Sequence, residues 1–309
     1  ALFATDSRYI EQAESECPRF RLEKLSPNPQ EDIVKLIIGL NVLKIGFEAG
    51  HLSYRTHEKY RSKLPESIEL VPTDNLIEDL RMVKDADEIA CIEAACAVAD
   101  RAFEYILPFL KLGAVERDVM LELEWYLRKN EGAEVAFDTI VASGPRSALP
   151  HGRASLRVMQ RGDFVTLDFG ARLNHYCSDI TRTVVLGEPT EEQRKVYQTV
   201  LDALFKAMEA IRPGVAGKDV DAVAREFIRE AGYGDYFGHG LGHSLGRTVH
   251  DGPALSPSSE VTLAPCMVTT VEPGIYIPGW GGVRIEHDVL VTEGAPRILT
   301  HSPTHLLVL

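Results

Sequence analysis

No run of apolar residues in this chain approaches the ~20 needed to cross a bilayer. The stretch from Ile33 to Leu40 is apolar but short, and Lys35 interrupts it. Positive charge is also scarce, with 33 Lys and Arg against 46 Asp and Glu, a net charge of −13 and a sequence pI near 5.3. Nucleic acid and anionic membrane both ask for a basic face, so neither is expected as the main partner. Cysteines number five, at 17, 91, 96, 177 and 266. Their odd number and lack of close pairing point to a reduced, cytoplasmic chain. Cys91 and Cys96 share a predicted helix but do not project together, which argues against a thiolate zinc site. The chain opens Ala-Leu-Phe-Ala-Thr-Asp, without Met, a basic n-region or a signal-peptide pattern. Ala1 to Ala4 reads as a strand entered part-way, so residues are expected to precede it.

What is present is an ordinary globular composition, 45% hydrophobic and 26% charged over 309 residues. That length suits one large domain and a smaller one. Short strand-like and helical segments alternate over residues 1–71, the mark of an α/β unit. Strands are expected at Arg19–Leu25, Lys44–Phe47 and Ile68–Val71, and helices at Pro29–Leu40 and Leu52–Leu64. The polar segment from Pro72 to Asp87 carries the boundary, giving domains 1–75 and 76–309. A strong amphipathic helix follows, with Ile89, Ile92, Cys96, Ala99, Phe103 and Ile106 on one buried face.

The larger part repeats itself. Leu112-Gly113 with Asp118-Val119 matches Pro213-Gly214 with Asp219-Val220 at a constant offset of 101 residues. Ala102-Phe103 falls on Ala203-Leu204, and Leu127-Arg128 on Ile228-Arg229. The second unit opens with Thr190-Glu-Glu-Gln193, a capping-box pattern. Two similar α+β halves with a cleft between them are expected.

Five candidate metal ligands are spread through these halves: Asp168, Asp179, His243, Glu272 and Glu286. Four carboxylates and one imidazole suit a pair of divalent ions, Mn or Co, with Zn as the alternative. Asp168 and Asp179 flank a β-rich hairpin around Arg172-Leu-Asn-His175. If Leu173-Asn174 is a two-residue turn, the two carboxylates are directly opposite, with Cβ atoms roughly 5 Å apart. Like charges so placed call for a cation, more so because Val165, Leu167 and Phe169 make the stretch apolar. Glu272 and Glu286 flank a second hairpin, with β-rich runs Val268–Ile277 and Val283–Val291 around Pro278-Gly-Trp-Gly-Gly282. Their numbers centre on Gly279, so they are expected to lie close across the ladder.

His239-Gly-Leu-Gly-His243 shares its spacing with a metalloprotease helix, but no Glu lies between the histidines and the glycines disfavour a helix. It reads as a glycine-rich strand or loop that lets backbone approach a ligand. G-x-G-x-x-G is not satisfied, so no dinucleotide fingerprint is present.

Taken together, Leu-Asp-Phe-Gly, Ser-Asp-Ile-Thr-Arg-Thr, His-Gly-Leu-Gly-His, His-Asp-Gly-Pro-Ala-Leu-Ser-Pro, Val-Glu-Pro-Gly-Ile-Tyr and Arg-Ile-Glu-His-Asp resemble the proline-specific metallopeptidases of the pita-bread fold. These are the Xaa-Pro aminopeptidases and the Xaa-Pro dipeptidases, or prolidases. The resemblance covers the whole chain; residues 1–71, including Gly46-Phe-Glu-Ala-Gly50, resemble the tail of a creatinase-like N-terminal domain. It implies an α+β pita-bread fold, a pseudo-twofold repeated catalytic domain preceded by a partial α/β domain. It further implies that Asp168 binds one metal, His243 and Glu272 the other, and that Asp179 and Glu286 bridge both. Glu272 would shuttle a proton, and His151 and His250 would hold the substrate and stabilise the tetrahedral intermediate. His239, Tyr276 and Arg284 would line the pocket for the proline ring. The substrates would be proline-containing dipeptides or short peptides, and a homodimer is expected.

Arg247, where many relatives carry an apolar residue, is the candidate grip for the C-terminal carboxylate of a dipeptide. It favours a dipeptidase over an aminopeptidase acting on longer peptides. A metal-free enzyme or a non-catalytic binding module on this scaffold would have lost ligand positions, and all five are acids or His here. The methionine aminopeptidases share the metal pattern but generally lack the part equivalent to residues 1–71.

Overall fold

The computed structural model describes residues 1–252 and 254–309; Pro253, part of the His-Asp-Gly-Pro motif, lies outside the described residues. The chain divides into two compact units, Ala1–Ile77 and Glu78–Leu309.

The first unit alternates strands and helices. Leu2–Thr5 pairs in parallel with Arg21–Lys24, and Lys44–Glu48 in parallel with Glu69–Thr73. Helices Ile10–Glu16, Pro29–Gly39 and Tyr54–Arg61 lie between them in sequence. Parallel neighbours need such crossovers, which is why a helix separates the two strands of each pair in sequence.

The second unit is built twice. Its long helices, Ala86–Ile106 and Glu191–Ala210, each begin with a complete capping box, Asp85 with Glu88 and Thr190 with Gln193. The following helices, Glu116–Lys129 and Gly217–Glu230, start and stop at the offset of the sequence repeat. Turn chemistry repeats as well. Gly113 N donates to Met159 O and Gly214 N to Leu263 O, each glycine at positive φ (84° and 87°). Only glycine adopts that conformation without steric cost. Each half closes over its own apolar cluster. One gathers Phe103, Leu123, Leu127 and Leu167, the other Leu204, Val220, Ile228 and Val271. Burying each such side chain contributes roughly 1.5–3 kcal/mol. Ile92, Ala99, Phe103 and Ile106 are buried as the period required.

The sheets place the site. Phe164–Phe169 runs between Ile180–Val185 and Ile140–Ser143, antiparallel to both. The hairpin turn is Asn174-His175, not Leu173-Asn174, because Leu173 pairs with Tyr176. Both turn residues have positive φ (50° and 68°), the geometry that matches the twist of the flanking strands. The shifted turn moves the register, so Asp168 lies opposite Thr181 and Asp179 is its diagonal neighbour. The shift is even, so both carboxylates stay on one face. Gly170 permits the tight passage, since a Cβ there would collide with the Ser178 carbonyl oxygen.

The second hairpin keeps its expected centre but is not continuous. Gly274–Ile277 pairs with Gly281–Arg284, and Val268–Val271 with His287–Leu290, in one common register. Glu272 and Glu286 sit at matching positions in the gap between these ladders. Pro273, which has no N–H to donate, explains the break.

Candidate metal centre

His243 occupies the short strand Gly242–His243, paired with Ala254–Leu255. A Cβ on Gly242 would collide with the Thr270 carbonyl oxygen, so glycine is what lets this strand press against Val268–Val271. Thr270 then aligns two candidate ligands. Its hydroxyl accepts from His243 N at 3.0 Å and donates to Glu272 Oε1 at 3.2 Å.

His243 Nε2 stands 3.5 Å from Asp179 Oδ2 and 3.4 Å from Glu272 Oε1. Asp179, His243 and Glu286 each offer a ligand atom within 4.8 Å of the others. Asp168 reaches the same cavity, held by Arg284 Nη2 at 2.6 Å. Thus the two halves contribute Asp168 and Asp179 on one side and His243, Glu272 and Glu286 on the other.

The electrostatics of this cluster ask for cations. Asp179 Oδ1 and Glu286 Oε1 are buried without a hydrogen-bond partner. Burial and then the Asp168 carboxylate push Asp179 well above the usual carboxylate range; burial and then Asp179 do the same to Glu286. Glu272 is also raised, chiefly by burial, with His243 opposing. Elsewhere the same chain shows how a buried carboxylate is satisfied without metal. Glu116 accepts from the backbone N–H and hydroxyl of both Ser143 and Ser155 and from Arg146 Nε. Glu286 has one side-chain donor, the Thr181 hydroxyl at 2.6 Å. Orphaned, mutually repelling oxygen donors with one imidazole fit two hard or borderline divalent ions.

Around the carboxylates runs an ordered hydrogen-bond chain. Arg284 donates from Nη2 to Asp168, from Nε to the Thr181 hydroxyl at 2.9 Å and from Nη1 to the Tyr276 hydroxyl at 2.8 Å. Burial alone would lower the Arg284 pKa, but Tyr276, Asp168 and Glu272 hold it firmly charged. His239 Nδ1 faces the Gly240 carbonyl at 2.7 Å, an acceptor only, so Nδ1 carries the proton. His239 Nε2 therefore accepts from the Tyr276 hydroxyl at 2.9 Å. Burial, then Arg284, lowers the His239 pKa to about 4, keeping it neutral.

The cavity holds about 630 Å³, within the range of small-molecule sites. His151, His239, His250 and Arg284 line it with the five candidate ligands, while Tyr276, off the lining, stands behind His239. The His250 ring lies 4.2 Å from the His243 ring, and burial followed by His243 lowers its pKa. Arg247 is exposed, stacked 6.0 Å over the Tyr176 ring, and does not line the cavity.

Three contributors escaped the sequence reading. Asp288 Oδ2 accepts the Asp179 N–H at 2.9 Å, and Thr181 links Arg284 to Glu286. Arg153, with Asp138, lines the cavity rim. Asp288 carried a signal, since it shares a strand face with Glu286 two residues earlier. Thr181, two residues after Asp179, carried the same signal; Arg153 carried none, because its role comes from a cross-strand neighbour.

Known proteins resemble this chain in sequence and fold. The model of metallopeptidase family M24 matches residues 90–293, and that of the creatinase/prolidase N-terminal domain matches residues 1–83. The chain is 47% identical over 267 residues to a Xaa-Pro dipeptidase of Pyrococcus furiosus, covering 86% of this chain and 76% of that one. It superposes on a Xaa-Pro dipeptidase from Bacillus anthracis with TM-score 0.96 and 44% identity, over 100% of this chain and 86% of the other. An X-Pro aminopeptidase from Thermotoga maritima gives TM-score 0.92 and 43% identity, over 100% and 85%. With a repeated pita-bread unit, a creatinase-like N-terminal domain and five clustered candidate ligands, the chain belongs to metallopeptidase family M24.

Proposed function

We propose that this protein hydrolyses the Xaa-Pro peptide bond, with dipeptides as its preferred substrates. The observation that carries this reading is the convergence of Asp168, Asp179, His243, Glu272 and Glu286 on one cavity, with buried carboxylate oxygens left unpartnered. The Xaa-Pro specificity is supported by the likeness to dipeptidases over most of the chain. Asp168, Asp179, Glu286, His243 and Glu272 would hold two divalent ions. Bound there, such ions supply Lewis acidity that polarises the scissile carbonyl and makes water a nucleophile at neutral pH.

The remaining work falls to side chains of this protein. Glu272 would take the proton of the attacking water and pass it to the leaving proline nitrogen. His250 and His151, at the cavity wall, would hydrogen-bond the substrate carbonyl and stabilise the charge that develops on its oxygen. Arg284 and neutral His239 would wall the proline ring, with the Tyr276 hydroxyl bracing both from behind, and Arg284 orients Asp168. Protein depleted of metal should cleave neither Xaa-Pro nor Xaa-Pro-Xaa, and Mn, Co or Zn added back should restore cleavage of Xaa-Pro but not of Xaa-Ala. Full activity after thorough depletion would remove the reading.

A second reading, an Xaa-Pro aminopeptidase for longer peptides, is favoured by the Thermotoga maritima likeness. A substrate length series separates the two: rising kcat/KM from Xaa-Pro to Xaa-Pro-Xaa supports the aminopeptidase.

A further inference from the structure

Four residues stand in one row across the first-half sheet. Thr181 lies opposite Asp168, Asp168 opposite Ile140, and Ile140 is bridged on its other side to Arg153. Directly opposed residues in an antiparallel sheet project to the same face. Arg153 therefore points to the face that carries Asp168, and Ile140, Asp168 and Arg153 all line the cavity. Two strand spacings of about 4.8 Å set the Arg153 backbone roughly 10 Å from that of Asp168. In an Xaa-Pro dipeptide the C-terminal carboxylate lies one residue, about 3.5 Å of chain, beyond the scissile carbonyl. A guanidinium on a flexible stem at that separation reaches the far end of a dipeptide whose scissile carbonyl is held at the carboxylate cluster.

The charge inventory singles out the same residue. Among the described residues lining the cavity, two carry permanent positive charge, Arg284 and Arg153. Arg284 is buried and committed to Asp168, Thr181 and Tyr276. Arg153 is free to change partner. Its one side-chain partner here is Asp138 at 2.5 Å, and the two side chains are 80% and 74% exposed. So open an ion pair is worth little and is readily exchanged for another carboxylate. The backbone beneath it is fixed, because the Arg153 carbonyl accepts from Arg146 Nη2, and Arg146 is anchored on buried Glu116.

We propose that Arg153 is a specificity-determining residue that takes the free C-terminal carboxylate of a dipeptide, exchanging Asp138 for the substrate. This deepens the Xaa-Pro reading and rests on it. The guanidinium offers the forked donor pair that a carboxylate accepts. A peptide extended beyond proline presents a neutral amide at that place and gains nothing from the charge. Arg247, the sequence candidate for this task, yields it to Arg153 because its own guanidinium lies over Tyr176, off the cavity.

The test compares Ala-Pro with its C-terminal amide, using Mn-loaded protein. Wild type should prefer the free acid about tenfold or more in kcat/KM, the scale of a charge-assisted contact. Arg153→Ala should bring the acid-to-amide ratio towards one, and Arg153→Glu should invert it. Asp138→Asn, which frees the guanidinium, should lower KM for the acid and not for the amide. Calorimetric titration with proline and prolinamide reads the same discrimination without turnover. Should an Arg153 variant fail to fold, the Asp138→Asn result decides alone. A wild-type ratio preserved in Arg153→Ala and Arg153→Glu, or an unchanged KM in Asp138→Asn, overturns the assignment and leaves the Xaa-Pro reading standing. Failure of wild type to cleave any Xaa-Pro bond overturns both.

Discussion

Asp288 and Asp179 are joined by a buried hydrogen bond in which Asp288 Oδ2 accepts the Asp179 backbone N–H at 2.9 Å. The same oxygen accepts from the Cys96 thiol at 3.2 Å. The backbone of a candidate ligand is thereby tied to the strand His287–Leu290 of the other half. Asp288→Ala should lower metal affinity and kcat/KM by about 10–100-fold, the usual cost of losing a group that orients a ligand. Asp288→Asn keeps an acceptor for the Asp179 N–H and should lose less. Metal titration by calorimetry, with kinetics on Ala-Pro, checks both.

The crowded carboxylates oppose one another until cations arrive. In chelator, Asp179→Asn and Glu286→Gln should each be more stable than wild type by roughly 1–3 kcal/mol and melt at a higher temperature, because each removes a buried like charge. The same variants should lose about 100-fold or more in activity. Added Mn should raise the melting temperature of wild type and have little effect on the variants, since only a site that binds shifts the equilibrium. Thermal denaturation with and without metal reads this directly.

His239 predicts a pH dependence of stability. Its folded pKa is about 4, pushed down by burial and then by Arg284, from 6.5 for the free group. As pH falls from 6.5 the unfolded chain takes up the proton first, so stability is full above about 6.5 and is lost as pH falls through about 4. The loss amounts to roughly 3 kcal/mol. His239→Gln removes this contribution, so the gap in urea midpoint between wild type and variant should shift in the variant's favour between pH 7 and pH 4. A gap constant with pH would contradict the buried, neutral state of His239.

Gly242 is fixed by its neighbour's backbone. A Cβ would meet the Thr270 carbonyl oxygen, which cannot move without breaking the strand that carries Thr270 and leads to Glu272. Gly242→Ala should cost about 2–4 kcal/mol in urea unfolding. It should also weaken metal binding, because His243 follows directly.

Much of the site was written in local chemistry. The ligand types, their order and the repeat were legible because carboxylates in β-rich, apolar stretches are costly without a partner and because helix starts recur at a fixed step. The glycines of His239-Gly-Leu-Gly-His243 marked close backbone approach, and at Gly242 the neighbour is the Thr270 carbonyl oxygen rather than a ligand. The hairpin register was less legible. Nothing in Arg172-Leu-Asn-His175 forces the turn onto Asn174-His175, because both choices offer an acceptable two-residue loop. The break at Glu272-Pro273 had a local cause in the missing proline N–H, yet the alternation of Val268–Ile277 masked it.

By itself, then, the amino-acid order determined which residues could bind metal, that they come from two similar halves, and where the helices at Pro29 and Glu191 begin. Those properties depend on side-chain chemistry and on contacts a few residues long. Only the tertiary structure decided that Asp168 is held by Arg284, that Asp288 fixes Asp179, and that Arg153 rather than Arg247 faces the cavity. Each of these depends on which strands lie side by side, and strand neighbours distant in sequence are chosen by the packing of the whole unit.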